Sequence, residues 1–487
     1  MAFKLKREST GELLVLEEAN ALGTGGEATV YSLDTERALA AKVYLKPNDD
    51  RARKLAVMAA NPPAGTSQET EEPDIVWPLD LLWTTGRKSR IAGFLMPRVE
   101  DMAPIIDIYS PHARLMSRPW FDYRLLLRTC IGMTQAVETA HQGGYIIGDL
   151  NHSNIFVAPD GRVTLIDADS FQVRDPETGD AFLCPVYTPE FTAPELHHQG
   201  LIRTERSLAQ DNFALGVLAF LLLMGGVHPF TGVYLGKGEP PALFTRIASG
   251  DFPYSRKKRV MIAPPPIALP FDTLSPALQD LFQRCFEDGH QEPEQRPTSS
   301  EWREALIAAE ESLTVCEANS QHQYGSHLSA CPWCIRTQQL GGRDPFPSKE
   351  SVANGRHRRP IPVKRTLARD RVPSWRFQEQ QMRRARIRTG ANLKTWHWVV
   401  LVGMLWAGLP ALWALSVFYL EPLRTFAGFL AAIFYGMTAA MVPVAAGMVG
   451  WHRATSARNG GGWIILSALG LFVGGGLFAL ISVLAFY

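Results

Sequence analysis

Three residues of this chain could hold a phosphate and a metal, judged by type and spacing. Asp149 sits in the run Gly148-Asp149-Leu150-Asn151-His152-Ser153-Asn154. Asn154 follows it by five residues, and Asp167 lies thirteen further on, behind the apolar pair Leu165-Ile166. An acid in a loop can hold a substrate hydroxyl, while an amide and a second carboxylate can hold Mg²⁺ on a nucleotide. A second constellation lies downstream. Cys331-Pro332-Trp333-Cys334 has zinc-knuckle spacing, and Cys316 with either His322 or His327 completes a Cys₃His set. Four such ligands leave no open position, so the zinc expected there is structural. A redox CxxC or two unpaired thiols are the alternatives.

The elements that must position these residues can be read from periodicity. Residues 13–46 alternate apolar and polar around a glycine cluster, as strands joined by a tight turn do. Residues 49–60 read as a short helix stopped by Asn61-Pro62-Pro63, and 61–74 as a loop. Residues 75–83 and 90–99 read as paired strands, 122–142 as a helix and 211–224 as a very apolar helix. Residues 257–272 read as a loop, 273–312 as helical again, and 339–375 as a charged, proline-rich linker. No internal repeat is visible.

Several further motifs fall in one order along the front half. Leu22-Gly23-Thr24-Gly25-Gly26-Glu27-Ala28-Thr29-Val30 offers backbone N–H groups with few side chains in the way, as phosphate oxygens require. Lys42 follows between apolar neighbours, then Gly93-Phe94-Leu95-Met96-Pro97-Arg98-Val99. After Asp167 come Val186-Tyr187-Thr188-Pro189-Glu190-Phe191-Thr192-Ala193-Pro194-Glu195, Asp211-Asn212-Phe213-Ala214-Leu215-Gly216 and Gln295-Arg296-Pro297-Thr298. Taken together, residues 10–312 resemble the eukaryotic-like protein kinases of bacteria. The resemblance implies that Gly23 and Gly25 cradle phosphates, that Lys42 pairs with the α- and β-phosphates, and that Val30, Met96 and Val99 line the adenine. It implies that Asp149 orients or deprotonates the acceptor hydroxyl, that Asn154 and Asp167 bind Mg²⁺ or Mn²⁺, and that Thr188 bonds Asp149, as in serine/threonine kinases. It also implies a buried Glu195–Arg296 pair and a tie from Asp211 to the catalytic loop.

The departures from the family pattern are specific. Ala28 stands for the third glycine, Ile147-Gly148 for His-Arg, Asn151 for the Lys of serine kinases, and Asp167-Ala168-Asp169 for Asp-Phe-Gly. Helix 49–60 has no Glu to pair with Lys42. Without the arginine, switching by a phosphate on the activation loop is not expected. Without the lysine, one positive charge near the γ-phosphate is missing, which slows transfer unless another cation substitutes. The segment Cys-x-x-Asn-x-x-His before Cys-Pro-Trp-Cys resembles a small zinc ribbon that follows the kinase region in some bacterial relatives. That resemblance selects His322, with Cys316, Cys331 and Cys334, as the zinc set.

Charge is unevenly spread along the 487 residues. Residues 1–350 hold 33 Lys/Arg against 45 acids, 351–394 hold 13 against 2, and 395–487 hold 3 against 1. The polar start MAFKLKREST carries no secretory signal. Residues 397–420, 425–450 and 463–487 are apolar runs longer than the ~20 residues that cross a bilayer. Trp396, Trp398, Tyr419, Trp451, Trp463 and Tyr487 lie near their ends. The basic belt before the first run should stay on the cytoplasmic side, which puts Tyr487 outside. That belt suits anionic lipid or a plain solvated linker better than nucleic acid, which is not an expected partner.

The expected architecture is α+β. A bilobal protein-kinase-like fold spans 1–312 (lobes at about 10–99 and 100–312). A zinc-ribbon-like segment follows at 313–338, a basic cytoplasmic linker at 339–394, and an all-α transmembrane region of three helices at 395–487. The expected activity is ATP-dependent serine/threonine protein phosphorylation at the inner (plasma) membrane, with ATP, Mg²⁺ and structural Zn²⁺. Protein substrates and the lipid bilayer are the expected partners, with a cognate phosphatase implied by the resemblance. The rival from another class is a membrane-tethered, nucleotide-binding pseudokinase scaffold. A transporter is disfavoured because the apolar runs carry almost no charge to line a pathway.

Overall fold

Alternating side chains build the first lobe. In strand β1 (Ala2–Arg7) and strand β2 (Leu13–Glu17) alternate residues turn inward, Leu5 and Arg7 from the first and Leu14 and Leu16 from the second. With β3 (Ala21–Thr24), β4 (Ala28–Ser32), β5 (Leu39–Tyr44), β6 (Asp80–Thr84) and β7 (Ile91–Pro97) they form one sheet in the order β2-β1-β6-β7-β5-β4-β3. The computed structural model that gives this fold describes residues 2–358, apart from 34–35, 37, 67–72 and 198–202. Strand β1, drawn from the polar start of the chain, lies between β2 and β6 and widens the sheet. Two small apolar clusters cover the sheet. Leu5, Leu16, Leu82 and Leu95 centre one, and Leu55, Leu81 and Phe94 centre the other.

Helix α1 (Asp49–Ala60) packs on this sheet. Asn48 caps it by accepting from Arg51 N, and Asp49 and Asp50 occupy its first turn, where they complement the helix dipole. Its ends coincide with those read from the sequence, because cap and stop are local. Gly93 sits where β7 crosses β5: a Cβ there would meet the Lys42 carbonyl oxygen at 2.0 Å.

The second lobe forms around helix α2 (Tyr123–Gln142) and helix α3 (Leu208–Leu223). The inward stripe of α2 includes Leu126, Leu127, Cys130, Met133, Val137 and Ala140, at helical spacing. Helix α3 is buried all round, which explains its lack of a polar face. The stretch expected to be helical over 273–312 divides into α4 (Pro276–Gln283), a π-helical turn and α5 (Ser299–Glu311), with Pro293 and Pro297 between them. Thr298 and Glu301 form a reciprocal capping box at the start of α5.

The expected linker begins later than its composition suggests. After strands β8 (Leu313–Cys316) and β9 (Asn319–Gly325) and helix α6 (Pro332–Gln339), the chain stays folded, and Phe346 is buried against Trp333, with ring centroids 4.8 Å apart. Trp333 in turn lies 4.9 Å from Tyr123 of α2. The described residues therefore make one compact unit. Among the described residues no helix is long and apolar enough to cross a membrane. The basic belt from residue 359 and the three apolar runs lie outside the described residues.

Candidate functional site

The catalytic-loop residues are held from below. Asp211, fully buried on α3, accepts the backbone N–H of Ile147 and of Gly148, both at 2.8 Å, and lies 3.0 Å from His141 Nε2. Gly148 has a φ of 74°, and a Cβ there would come within 2.9 Å of both Arg206 Nη1 and Cys184 Cβ. Glycine at this position thus has a local reason. The guanidinium of Arg206, 3 % exposed, fills the space beside it and bonds the Val186 carbonyl. Asn151 is buried and spends its side chain on the loop itself, donating to the Asp149 carbonyl at 2.9 Å and accepting from Ser153 N at 2.7 Å. It brings no charge to the cleft.

Asp149 is 9 % exposed, and burial raises its carboxyl above the usual range, against the hydrogen bonds from Thr188 and Asn151 and the charge of Arg206. Thr188 thus lies against Asp149. Asn154 Nδ2 donates to the Asp149 carbonyl at 3.2 Å. The short hairpin after the loop pairs Ile155 with Leu165, and Ile166 N donates to the Asn154 carbonyl at 2.9 Å. Asn154 and Asp167 therefore leave one end of the hairpin side by side. Asp167 holds a left-handed backbone at φ 68°, a conformation that costs a non-glycine residue about 1–3 kcal/mol and concentrates at functional sites.

Above this loop, Lys42 reaches down from β5. Its ammonium pairs with the carboxylates of both Asp167 and Asp169. Burial would lower the Lys42 pKa, but the two acids outweigh it and raise it. Asp169 also accepts the Tyr44 hydroxyl at 2.7 Å. Burial would raise the Asp169 carboxyl, but Lys42 outweighs it and holds the group low. The family pairs its strand lysine with a helix Glu. Here Asp169, at the position of the last residue of Asp-Phe-Gly, is the acid that holds Lys42. Helix α1 contributes cations instead. Arg51 lies over the Tyr44 ring at 4.5 Å and donates to Glu27 of the glycine loop at 2.8 Å, and Lys54 turns inward, 7 % exposed. Burial pushes the Lys54 ammonium down to about 8, against the pull of Cys184, Asp169 and Asp167.

The glycine loop fits a phosphate cradle. A Cβ at Gly23 or Gly26 would meet nothing within 4 Å, one at Gly25 would only touch the Ala28 carbonyl, and none of the three has a left-handed φ. Neither packing nor backbone strain accounts for these glycines, whereas close approach of a ligand would. Val30 faces Lys42 across the β4–β5 ladder, and Met96 faces Ala40 across β5–β7. Both are half-buried, and Val99 follows the end of β7. A carboxylate and an amide at the foot of this cradle are the oxygen ligands that Mg²⁺ favours. Glu195 and Arg296 meet in a two-fold bridge, with both bonds at 2.7 Å and Arg296 2 % exposed.

The second constellation gathers at the foot of the second lobe. One ligand atom each from Cys316, His322, Cys331 and Cys334 lies within 4.8 Å of every other. The Cys316–Cys334 sulfurs are 3.7 Å apart, and His322 Nδ1 is 3.6 Å from Cys331 Sγ and 3.5 Å from Cys334 Sγ. A zinc tetrahedron with ordinary bond lengths has edges of about 3.8 Å between sulfurs and about 3.5 Å between sulfur and nitrogen. The donor set therefore fits zinc. His327 is not part of the group: its Nε2 lies 3.1 Å from the Asp272 carbonyl. Asp344, which sequence reading passed over, bonds His322 Nε2 at 2.8 Å and leaves Nδ1 facing the sulfurs. Arg206, Tyr44 and Lys54 were passed over too. Nothing in their local sequence marks them, because their partners lie far along the chain.

No family model matches the chain. Over 334 residues it is 35% identical to "Protein kinase YegI" of Escherichia coli (strain K12), covering 68% of this chain and 50% of that protein. The chain thus spans about half the length of the curated relatives it matches. Among solved structures it aligns with the ROP18 kinase domain in complex with AMP-PNP and sucrose, at 17% identity and a TM-score of 0.40, over 64% of this chain and 82% of that one. It also aligns with ROP2 from Toxoplasma gondii, described as having a protein-kinase fold and no enzymatic activity, at 14% identity and a TM-score of 0.41, over 64% and 86%. The sequence is similar to that of a bacterial protein kinase.

Proposed function

We propose that this chain is a protein kinase that transfers the γ-phosphoryl group of ATP to serine or threonine hydroxyls of protein substrates, itself included. The observation that carries the reading is the meeting, in one cleft, of Lys42 and Asp167 under the glycine loop with buried Asp149 and Thr188. When bound, Mg²⁺·ATP supplies the phosphoryl group and the metal charge that offsets it. Lys42 orients the phosphates, and Asn154 with Asp167 holds the metal. Val30, Met96 and Val99 line the adenine, and Gly23 and Gly25 keep side chains away from the phosphates. Asp149 accepts the proton of the attacking hydroxyl, and the raised pKa of its carboxyl makes it a stronger base. Thr188, bonded to Asp149, favours an aliphatic hydroxyl as acceptor.

Two attachments complete the proposal. Structural zinc on Cys316, His322, Cys331 and Cys334 pins the segment after α5 to α2, and the tetrahedral edge lengths support it. The three apolar runs beyond residue 395 anchor the kinase region at the cytoplasmic face of a membrane, where its substrates and a reversing phosphatase would be met. Their length and the basic belt before them support this.

Two observations favour the rival, an inactive nucleotide-binding scaffold: Asp169 competes for Lys42, and Asn151 adds no charge. Incubation with γ-labelled ATP and Mg²⁺ separates the two. The enzyme labels its own serine or threonine, and Asp167→Asn does not. A wild type that binds ATP and labels nothing is the scaffold.

A further inference from the structure

We propose that Lys54 of α1 is a phosphate-binding residue of the cleft, and that it supplies the positive charge Asn151 and Gly148 do not. The inference rests on the nucleotide reading above. Its starting point is a buried cation without a partner. Lys54 forms no hydrogen bond or ion pair with any described residue, yet it lies on the inward face of α1 with Leu55 and Met58, which are 1 % and 0 % exposed. An unpaired ammonium is rarely left in such a place without an anion to meet it.

The neighbours show where it faces. One helical turn earlier, Arg51 joins α1 to both the glycine loop, through Glu27, and β5, through the Tyr44 ring. Tyr44 holds Asp169, and Lys54 lies beside the Cys184 thiol and within reach of the charges of Asp169 and, more weakly, Asp167, with Arg51 opposing them. Lys54 therefore looks onto the acids at the foot of the phosphate cradle. Charge accounting in the cleft points the same way. Lys42 is matched by two carboxylates, Asp167 and Asp169, before any phosphate arrives. A polyphosphate entering with its metal meets Asp149, Asp167 and Asp169 and needs a further cation. Relative to the family pattern, the acid that holds the strand lysine sits at Asp169, in place of a glycine, and the helix offers a lysine and no Glu. Arg206 does not fill this role, because it sits on the other side of the catalytic loop, beside Gly148 and Asp149, with Nη2 bonded to the Val186 carbonyl.

Affinities of the full chain for Mg²⁺·ATP, Mg²⁺·ADP and adenosine test this, with Lys54→Met and Lys54→Arg beside the wild type. The expected result is a loss of about tenfold or more in ATP and ADP affinity for Lys54→Met. Adenosine affinity should hold within about twofold, and Lys54→Arg should stay close to wild type. The nucleotide-free Lys54→Met protein should melt no lower than wild type, since an unpaired buried charge has gone. Equal ATP affinity in Lys54→Met, or a parallel loss of adenosine, overturns the inference while leaving the nucleotide reading in place. A wild type that binds no nucleotide overturns both. Should Lys54→Met not fold, an acyl-phosphate derivative of ATP gives the answer on the wild type. Attack by the lysine amine forms an amide, breaks the acyl–phosphate bond and releases ATP. Acylation of Lys54 that excess ATP suppresses supports the proposal, and acylation confined to Lys42 contradicts it.

Discussion

In the cleft, two carboxylates share one lysine while a second lysine stays bare, so charges are arranged in slight excess around an opening. At the foot of the second lobe, three sulfurs and one imidazole nitrogen lie within 4.8 Å of one another, three of their separations at 3.5, 3.6 and 3.7 Å, braced behind by Asp344. Both regions hold polar groups out of water. The cleft leaves its groups only partly satisfied and its glycine loop open, as a site that must admit and release a ligand requires. The cysteine–histidine knot turns its ligand atoms toward one another, and Trp333 packs edge-on to Phe346 and tilted against Tyr123, as a structural staple requires. Changes in the cleft should therefore alter chemistry more than stability, and changes in the knot stability more than chemistry.

The largest test of this division is Cys331→Ser. It should release one equivalent of zinc, measured by metal analysis, and lower stability by on the order of 5 kcal/mol, seen as an early melting transition. Phosphoryl transfer per folded molecule should change little. Glu195→Gln should come next, at about 3–5 kcal/mol in denaturant unfolding, because it leaves the Arg296 guanidinium buried beside a neutral amide. It blurs the division, since Arg296 also donates to the Ala209 carbonyl in the first turn of α3, which anchors the catalytic loop, and transfer should fall with it. Gly148→Ala should cost about 1–3 kcal/mol from its positive φ alone, with Arg206 and Cys184 forced to move, and transfer should fall more than stability predicts. Asp344→Asn should be the mildest. Zinc affinity, read by competition with a chromogenic chelator, should drop about 10- to 100-fold while nucleotide affinity stays put.

The sequence made local features legible and left convergent ones hidden. Helix α1 was readable to the residue because Asn48, Asp49 and Asn61-Pro62 act within one turn. The long α2 announced itself by its apolar stripe. The helical region at 273–312 was overdrawn, because Pro293 and Pro297 break it while its apolar spacing continues across the gap. The chain after residue 339 looked like linker by composition, and only the long-range fit of Phe346 against Trp333 and Tyr123 draws its start into the fold. In the site, Asp149, Asn154 and Asp167 stood out through their spacing. Asp169 stood out only as a departure, because its partners Lys42 and Tyr44 lie more than a hundred residues away. Spacing alone left His322 and His327 open; the zinc-ribbon resemblance selected His322, which the structure groups with the three cysteines.

The central claim is that the cleft transfers phosphate and does not merely bind nucleotide. The most direct measurement pairs transfer from γ-labelled ATP with ATP affinity on the same preparations of wild type and Asp149→Asn. In the proposed reaction Asp149 would touch the acceptor hydroxyl and not the nucleotide, so the variant should bind ATP within about threefold of wild type and lose transfer by about 10²- to 10⁴-fold. Equal transfer by both proteins, or none by a wild type that binds ATP, would contradict the account.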